Sequence, residues 1–210
     1  MKRFEIITEA DARLVDIGST VALARGGHVT PLANDTLRDR RVTVLRDGHA
    51  GDAGVLTPVA EIRRIAIGSD HTGLSLKTAL VRHLRGRGLA VTDVGTDSAD
   101  PVDYPDIALR VATPVARGEA DAGIVIDGAG LGSAIAANKV DGIRAAMCND
   151  VTLARYAREH NGANVLALGA SLLSMEQAAA IVEMWIGTAM REPRYVRRLE
   201  KIRAIERNRS

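Results

Sequence analysis

From Arg64 onward, short apolar runs alternate with amphipathic stretches. Ile65-Ala66-Ile67-Gly68 is apolar and gives way to polar residues, after which Leu74, Leu76, Leu80, Val81 and Leu84 recur at helical spacing. Val91 to Val94 predicts a second strand, ended by Gly95. A helix is expected behind Tyr104-Pro105, with Ile107, Ala108, Val111 and Val115 on one face and Pro114 limiting or kinking it. Gly123-Ile124-Val125-Ile126 predicts a third strand, running into a glycine-rich loop at 128–132 and a short helix towards Asn138. Ile143 to Met147 reads as a fourth strand, Val151 to Glu159 as a helix and Val165 to Leu168 as a fifth strand. Ser174 then caps a helix expected to reach Met190, and Pro193 starts a last, basic helix.

Strands without polar alternation, each separated from the next by a helix, predict a parallel sheet covered on both faces. Right-handed crossovers make this a doubly wound α/β fold, a Rossmann-like three-layer sandwich with five parallel strands. Ligands of such folds sit at the carboxyl ends of the strands. The segments to interrogate are therefore Ser69-Asp70-His71, Asp97 to Tyr104, Asp127 to Gly132, Asn149-Asp150 and Gly169 to Ser171.

Residues 1–62 read differently, as a small N-terminal extension ahead of a domain at 63–210. A short helix is expected over Ile6 to Leu14, where Thr8 and Asp11 resemble a capping pair. A turn at Gly18-Ser19-Thr20, an apolar run Val21 to Ala24 and a break at Gly26-Gly27 follow. Thr30-Pro31 opens a second expected helix through Leu37. Asp47 to Gly54, rich in Gly and Asp and without periodicity, reads as a linker.

Composition narrows the function classes. The 210 residues are 46% hydrophobic and 26% charged, as in ordinary globular chains. No run approaches the ~18 apolar residues of a membrane span, and the start MKRFEIITEADAR has no apolar signal core, so no membrane partner and a cytoplasmic location are expected. The single cysteine, Cys148, excludes an internal disulfide and a thiolate zinc cluster. A net charge of +2 and 2% aromatics argue against nucleic acid, since the overall basic excess is slight and base stacking has little to work with. The excess is local: Arg191 to Ser210 holds eight basic and three acidic residues, which suits a small anion better than a polymer.

The strongest local signal is Ile126-Asp127-Gly128-Ala129-Gly130-Leu131-Gly132-Ser133, a strand entering a glycine-rich turn and a helix. Backbone N–H groups of such a turn converge on negative charge, either a phosphate or an oxyanion formed during reaction. A dinucleotide fingerprint fits poorly, because its third glycine is Ser133 and the loop follows the third strand rather than the first. Asp127 has two readings: a base that takes a proton from a bound carbon acid, or a cap for the turn that follows it. His160-Asn161 lies at a helix C-terminus, where the helix dipole favours a cation, and is otherwise an ordinary capping pair. His71 is a ligand contact or a core histidine. Arg194 and Arg198, four apart, share a helix face and either grip a phosphate together or form a solvated basic surface. Cys148 and Trp185 read as core.

Together, Ile67-Gly68-Ser69-Asp70-His71-Thr72-Gly73, Val102-Asp103-Tyr104-Pro105-Asp106, Gly128-Ala129-Gly130-Leu131-Gly132, Ile135-Ala136-Ala137-Asn138-Lys139, Gly142-Ile143-Arg144-Ala145, Arg158-Glu159-His160-Asn161, Asn164-Val165-Leu166 and Arg194-Tyr195-Val196-Arg197-Arg198 resemble the ribose-5-phosphate isomerase B and galactose-6-phosphate isomerase (LacAB) family. The resemblance implies a cofactor-free, metal-free aldose–ketose isomerase of a phosphorylated sugar, a homodimer or tetramer with its site at the subunit interface. By family role, Asp70, His71 and Tyr104 contact the sugar, and Gly128, Ala129, Gly130, Leu131 and Gly132 hold the enediolate oxygen through backbone N–H groups. His160 opens the sugar ring, Asn161 binds substrate, and Arg194 and Arg198 hold the phosphate.

The chain departs from that pattern at three places. One branch has a cysteine base where Asp127 stands, and another a glutamate base where Ser133 stands; here neither is present. The threonine common between the first two loop glycines is Ala129, and an arginine usual in the phosphate grip is Ser171. Asp127 is thus the expected replacement base, with an altered sugar expected from the missing arginine. A partner-dependent or non-catalytic subunit of a heteromeric isomerase is the alternative. The first 60 residues lie outside the family. Thr8-Glu9-Ala10-Asp11 and Val29-Thr30-Pro31-Leu32-Ala33 resemble a short module of some ethanolamine-utilisation proteins, which implies docking; an extra lid or dimer arm is the plainer expectation.

Overall fold

A computed structural model describes residues 2–46, 61–190 and 192–207. The chain divides into two compact units, Met1–Val55 and Leu56–Ser210. The expected linker at Asp47 to Gly54 lies outside the described residues.

The first unit is a three-stranded parallel sheet in the order β1 (Arg3–Ile7), β2 (Thr20–Val29), β3 (Thr43–Arg46), with helices α1 (Glu9–Leu14) and α2 (Pro31–Asp39) as its connections. The helix expected from Ile6 begins only at Glu9. Ile7 is fully buried in the sheet, and Thr8 takes the extended backbone of an N-cap, closing a capping box with Asp11. The expected break at Gly26-Gly27 is an irregularity within β2: Phe4 pairs with Leu23 but Ile6 with His28, so the strand takes up extra residues without ending. α2 starts at Pro31 behind the Thr30 cap, as the Thr-Pro pair predicts.

The second unit carries a five-stranded parallel sheet in the order β5 (Ala90–Asp93), β4 (Arg64–Ser69), β6 (Ala122–Asp127), β8 (Val165–Gly169), β7 (Ala145–Met147). All five strands stand where the apolar runs place them. α3 (Leu74–Gly86), α6 (Val151–Glu159) and α7 (Met175–Gly187) bury Leu80, Leu84, Ala154, Ile181 and Trp185 on one face. α4 (Tyr104–Ala116) and α5 (Leu131–Ala137) bury Ile107, Val111 and Ala137 on the other. Pro114 sits in the last turn of α4 without ending it. α7 stops at Gly187, short of the expected Met190, and α8 runs from Pro193 to Arg207.

The chain leaves β4 first to one side, for β5, and then to the other, for β6. This reversal opens a crevice between the carboxyl ends of β4 and β6. Asp70 and Asp127 stand at its two lips.

Candidate active site

The lip after β4 is built by Asp70. Its Oδ1 accepts N–H bonds from Thr72 (2.9 Å) and Gly73 (3.2 Å) and the Thr72 hydroxyl (2.6 Å), folding His71–Gly73 into one 3₁₀ turn. The next residue, His71, is thereby pushed out of the core and is half-buried. Its Nδ1 accepts the Val102 N–H (3.3 Å), which puts the ring proton on Nε2 and makes that nitrogen the free donor.

The lip after β6 is the glycine-rich loop. Gly130, at φ 78°, is left-handed, and an added Cβ would stand 2.9 Å from the Leu168 carbonyl carbon, so only glycine lets the loop lie this close to β8. Leu131 begins α5 and is exposed; Gly132 lies against the ring of Tyr104, where a Cβ would stand 2.6 Å from Cε2 and Cζ. Gly128 faces Ser171 and Thr72, whose hydroxyl oxygens lie 3.8 Å from the place of its absent Cβ, and its carbonyl accepts the Ser171 N–H (2.9 Å). Asp70, His71, Tyr104, residues 127–132 and Ser171 thus share one crevice.

Asp127 occupies the cradle itself. Its carboxylate is 5% exposed; Oδ1 accepts the N–H groups of Ala129 (2.8 Å) and Gly130, and Oδ2 accepts that of Ser133 (2.9 Å). The expectation of a base aimed at substrate is therefore corrected for this state: the carboxylate points back at its own loop. Three donors hold it because the left-handed turn at Gly130 curls the backbone around the strand end. The Ala129 and Gly130 amides, expected to hold an enediolate oxygen, hold this carboxylate in the structure. The Leu131 and Gly132 N–H groups have no partner among the described residues. The Ser133 hydroxyl is buried without a partner among the described residues.

A second cluster forms on the other candidate residues. His160, the C-cap of α6, is stacked on Tyr156 (centroids 4.6 Å apart) and lies against Tyr195 of α8 (4.5 Å). The guanidinium groups of Arg194 and Arg198 lie 4.8 and 5.5 Å from the Tyr195 centroid, so both side chains gather on that ring. Arg194 also donates to the Tyr195 hydroxyl (3.1 Å). The Asn161 amide donates to the Tyr156 carbonyl (3.0 Å), the capping role, and its side chain is exposed. No hydrogen bond or ring contact among the described residues joins this cluster to the glycine-rich loop.

Tyr156 and Tyr195 were not among the sequence candidates. The i, i+4 spacing of Tyr156 and His160 is the signal for the first; nothing local announces the second. Arg158 is a further unforeseen anchor. Fully buried over the Trp185 ring (5.0 Å), it donates to the Ala163 carbonyl (2.7 Å) and ties the end of α6 to the turn before β8. Burial, helped by the charge of Arg144, brings its pKa down to about 10. Burial also pushes the Cys148 thiol up to about 12, with the Asp150 charge adding to it, which fits an inert core residue.

Comparison with known proteins agrees with the motifs. The family described as Ribose/Galactose Isomerase matches residues 65–202. Ribose-5-phosphate isomerase B of Escherichia coli is 46% identical over 149 residues, covering 71% of this chain and all of that protein. D-erythrulose-4-phosphate isomerase of Pectobacterium atrosepticum is 39% identical over 140 residues, 66% of this chain and 91% of that protein. The solved structure of Clostridium thermocellum ribose-5-phosphate isomerase B superposes with a TM-score of 0.69 at 48% identity, over 70% of this chain and 99% of that one. From its fold, its crevice and these likenesses, the chain belongs to the ribose/galactose isomerase family.

Proposed function

We propose that residues 64–207 interconvert an aldose and a ketose of a small phosphorylated sugar by proton transfer through an enediolate, and that Asp127 serves as base only after substrate evicts it from the loop amides. In the aldose-to-ketose direction the base takes the proton from C2 and, after exchange with solvent, delivers a proton to C1, while the hydroxyl proton passes from O2 to O1. Negative charge develops on oxygen between the two transfers. The observation that carries the reading is the cradle: three converging N–H groups already hold an anion, one wall is His71 with a free Nε2–H, and the other is Tyr104.

Each hydrogen bond to a charged group contributes roughly 1.5–3 kcal/mol, so Asp127 does not leave three amides unaided. A sugar oxygen that accepts the same amides offsets that loss and leaves the carboxylate beside the carbon whose proton must move. Related isomerases act on five- and four-carbon sugars. With Ser171 in place of a phosphate-gripping arginine, the chain is not assigned to either.

The second cluster completes the site from another copy of the chain in a homodimer or tetramer. His160 opens the ring, Arg194 and Arg198 hold the phosphate, and Asn161 keeps the end of α6 in place. Exposed Leu131 (59%), Ile135 (64%), Leu153 (45%) and Leu172 (54%), on the elements that carry the two clusters, supply the apolar surface for that association.

The amide-bound carboxylate also favours a second reading, a chain that has lost base chemistry and serves a related active chain as a subunit. One experiment separates the two. The purified chain alone is incubated in D2O with a panel of aldose and ketose phosphates. Turnover with deuterium incorporated at the carbon next to the carbonyl supports the isomerase; no turnover and no exchange with any sugar, restored only by a second chain, supports the subunit.

A further inference from the structure

We propose that Lys77 is a positioning residue of this site, acting through the 94–103 loop on His71 and Tyr104; the inference rests on the crevice being the isomerase site. Lys77 belongs to α3, on the apolar side that packs against the sheet, and its side chain is 3% exposed. A leucine or methionine would satisfy the packing there. Instead the ammonium lies between the Asp93 carboxylate (2.8 Å to Oδ1, 2.7 Å to Oδ2) and the Thr96 carbonyl (2.7 Å). A buried ammonium is tolerated only when its donors are met, and these partners meet them.

Both partners lie at the root of the loop rather than in the core. Asp93 ends β5, and its Oδ1 also accepts the Gly95 N–H (3.0 Å). The cation therefore fixes how the chain turns off the strand. Gly95 then backs onto β4 so closely that a Cβ would stand 2.4 Å from the Ser69 nitrogen, and the Thr96 N–H donates to the Ser69 carbonyl (3.1 Å). From there Thr96, Ser98 and Asp100 bond to one another, and the loop delivers the Val102 N–H to His71 Nδ1 and starts α4 at Tyr104. The tautomer of His71 and the place of Tyr104 over Gly132 both descend from a loop pinned by one buried charge.

The test uses the full chain carrying Lys77→Met, with Asp93→Asn as a second variant at the half-exposed end of the pair. Imidazole nitrogen shifts are recorded on histidine-labelled protein, with the His71 signals assigned from a His71→Asn sample. In the wild type they report Nε2–H as the single tautomer. In either variant the two nitrogen shifts should converge as the tautomers mix, and kcat/KM for the sugar phosphate turned over by the wild type should fall at least tenfold. Lys77→Arg should recover part of both. A variant that is less thermally stable but keeps the His71 tautomer overturns the proposal and leaves Lys77 as a fold residue only. Because the tautomer is read without substrate, a chain that proves inactive on every sugar would refute the isomerase reading and still decide this one.

Discussion

Gly132→Ala is a one-carbon probe of whether Tyr104 lines the active crevice. The added Cβ would stand 2.6 Å from Tyr104 Cε2 and Cζ and 3.0 Å from its hydroxyl oxygen. Carbon–carbon contacts are comfortable at about 3.5–4.0 Å, so the ring must retreat by roughly 1 Å. The retreat is open to it, because Tyr104 is 42% exposed and its hydroxyl has no partner among the described residues. Forcing an extra carbon into a packed contact costs about 1–3 kcal/mol, and replacing glycine in a helix returns up to about 1 kcal/mol. Net stability should therefore drop by no more than about 3 kcal/mol, readable as a fall in Tm. Activity should respond far more, since a shift of this size in a substrate-positioning group can cost ~100-fold. The assay is kcat/KM for Gly132→Ala, Tyr104→Ala and the double variant. If the alanine acts by displacing the ring, the double variant is no worse than Tyr104→Ala alone. Unchanged kcat/KM in Gly132→Ala, or full additivity in the double variant, would refute the placement of Tyr104 in the site.

Two further outcomes follow from groups away from the crevice. Burial pushes the Asp121 carboxyl up, but the Arg64 side chain, the Arg63 and Arg64 N–H groups and the Arg64 charge together pull it below the ordinary carboxylate range. A depressed carboxyl contributes stability above its unfolded pKa that is lost as pH falls through the folded one. Below about pH 4 the wild type should accordingly lose more Tm than Asp121→Asn does, and parallel acid profiles would contradict this. Cys148, buried and raised to about 12, should resist iodoacetamide at pH 8 in the folded chain and react on unfolding in urea; rapid native labelling would contradict its core placement.

The α/β architecture was legible because buried parallel strands are apolar on both faces, so Ile65–Ile67, Ile124–Ile126 and Val165–Leu168 stand out without any neighbour's help. β3 was not foreseen: Thr43 to Arg46 is four residues of mixed polarity, and only pairing with β2 makes it a strand. The crevice residues could be named because strand ends are where such folds bind. Asp127 marks the limit. Its position at the end of β6 is written in the sequence, but the direction of its carboxylate depends on the left-handed turn at Gly130, which a glycine permits without dictating. The stacking of His160 between Tyr156 and Tyr195 was out of reach for another reason, since Tyr195 arrives from a helix more than thirty residues downstream.

The most direct measurement of the central claim is kcat of Asp127→Asn beside the wild type on the same sugar phosphate, with folding followed by circular dichroism. An asparagine keeps the size and one acceptor of the native side chain but cannot take a carbon-bound proton. An evicted aspartate acting as base predicts that kcat falls by at least ~100-fold, the scale of a lost general base, while the chain stays folded at reduced Tm. A loss smaller than about tenfold in a folded variant would mean that Asp127 never leaves the amides and only shapes the loop.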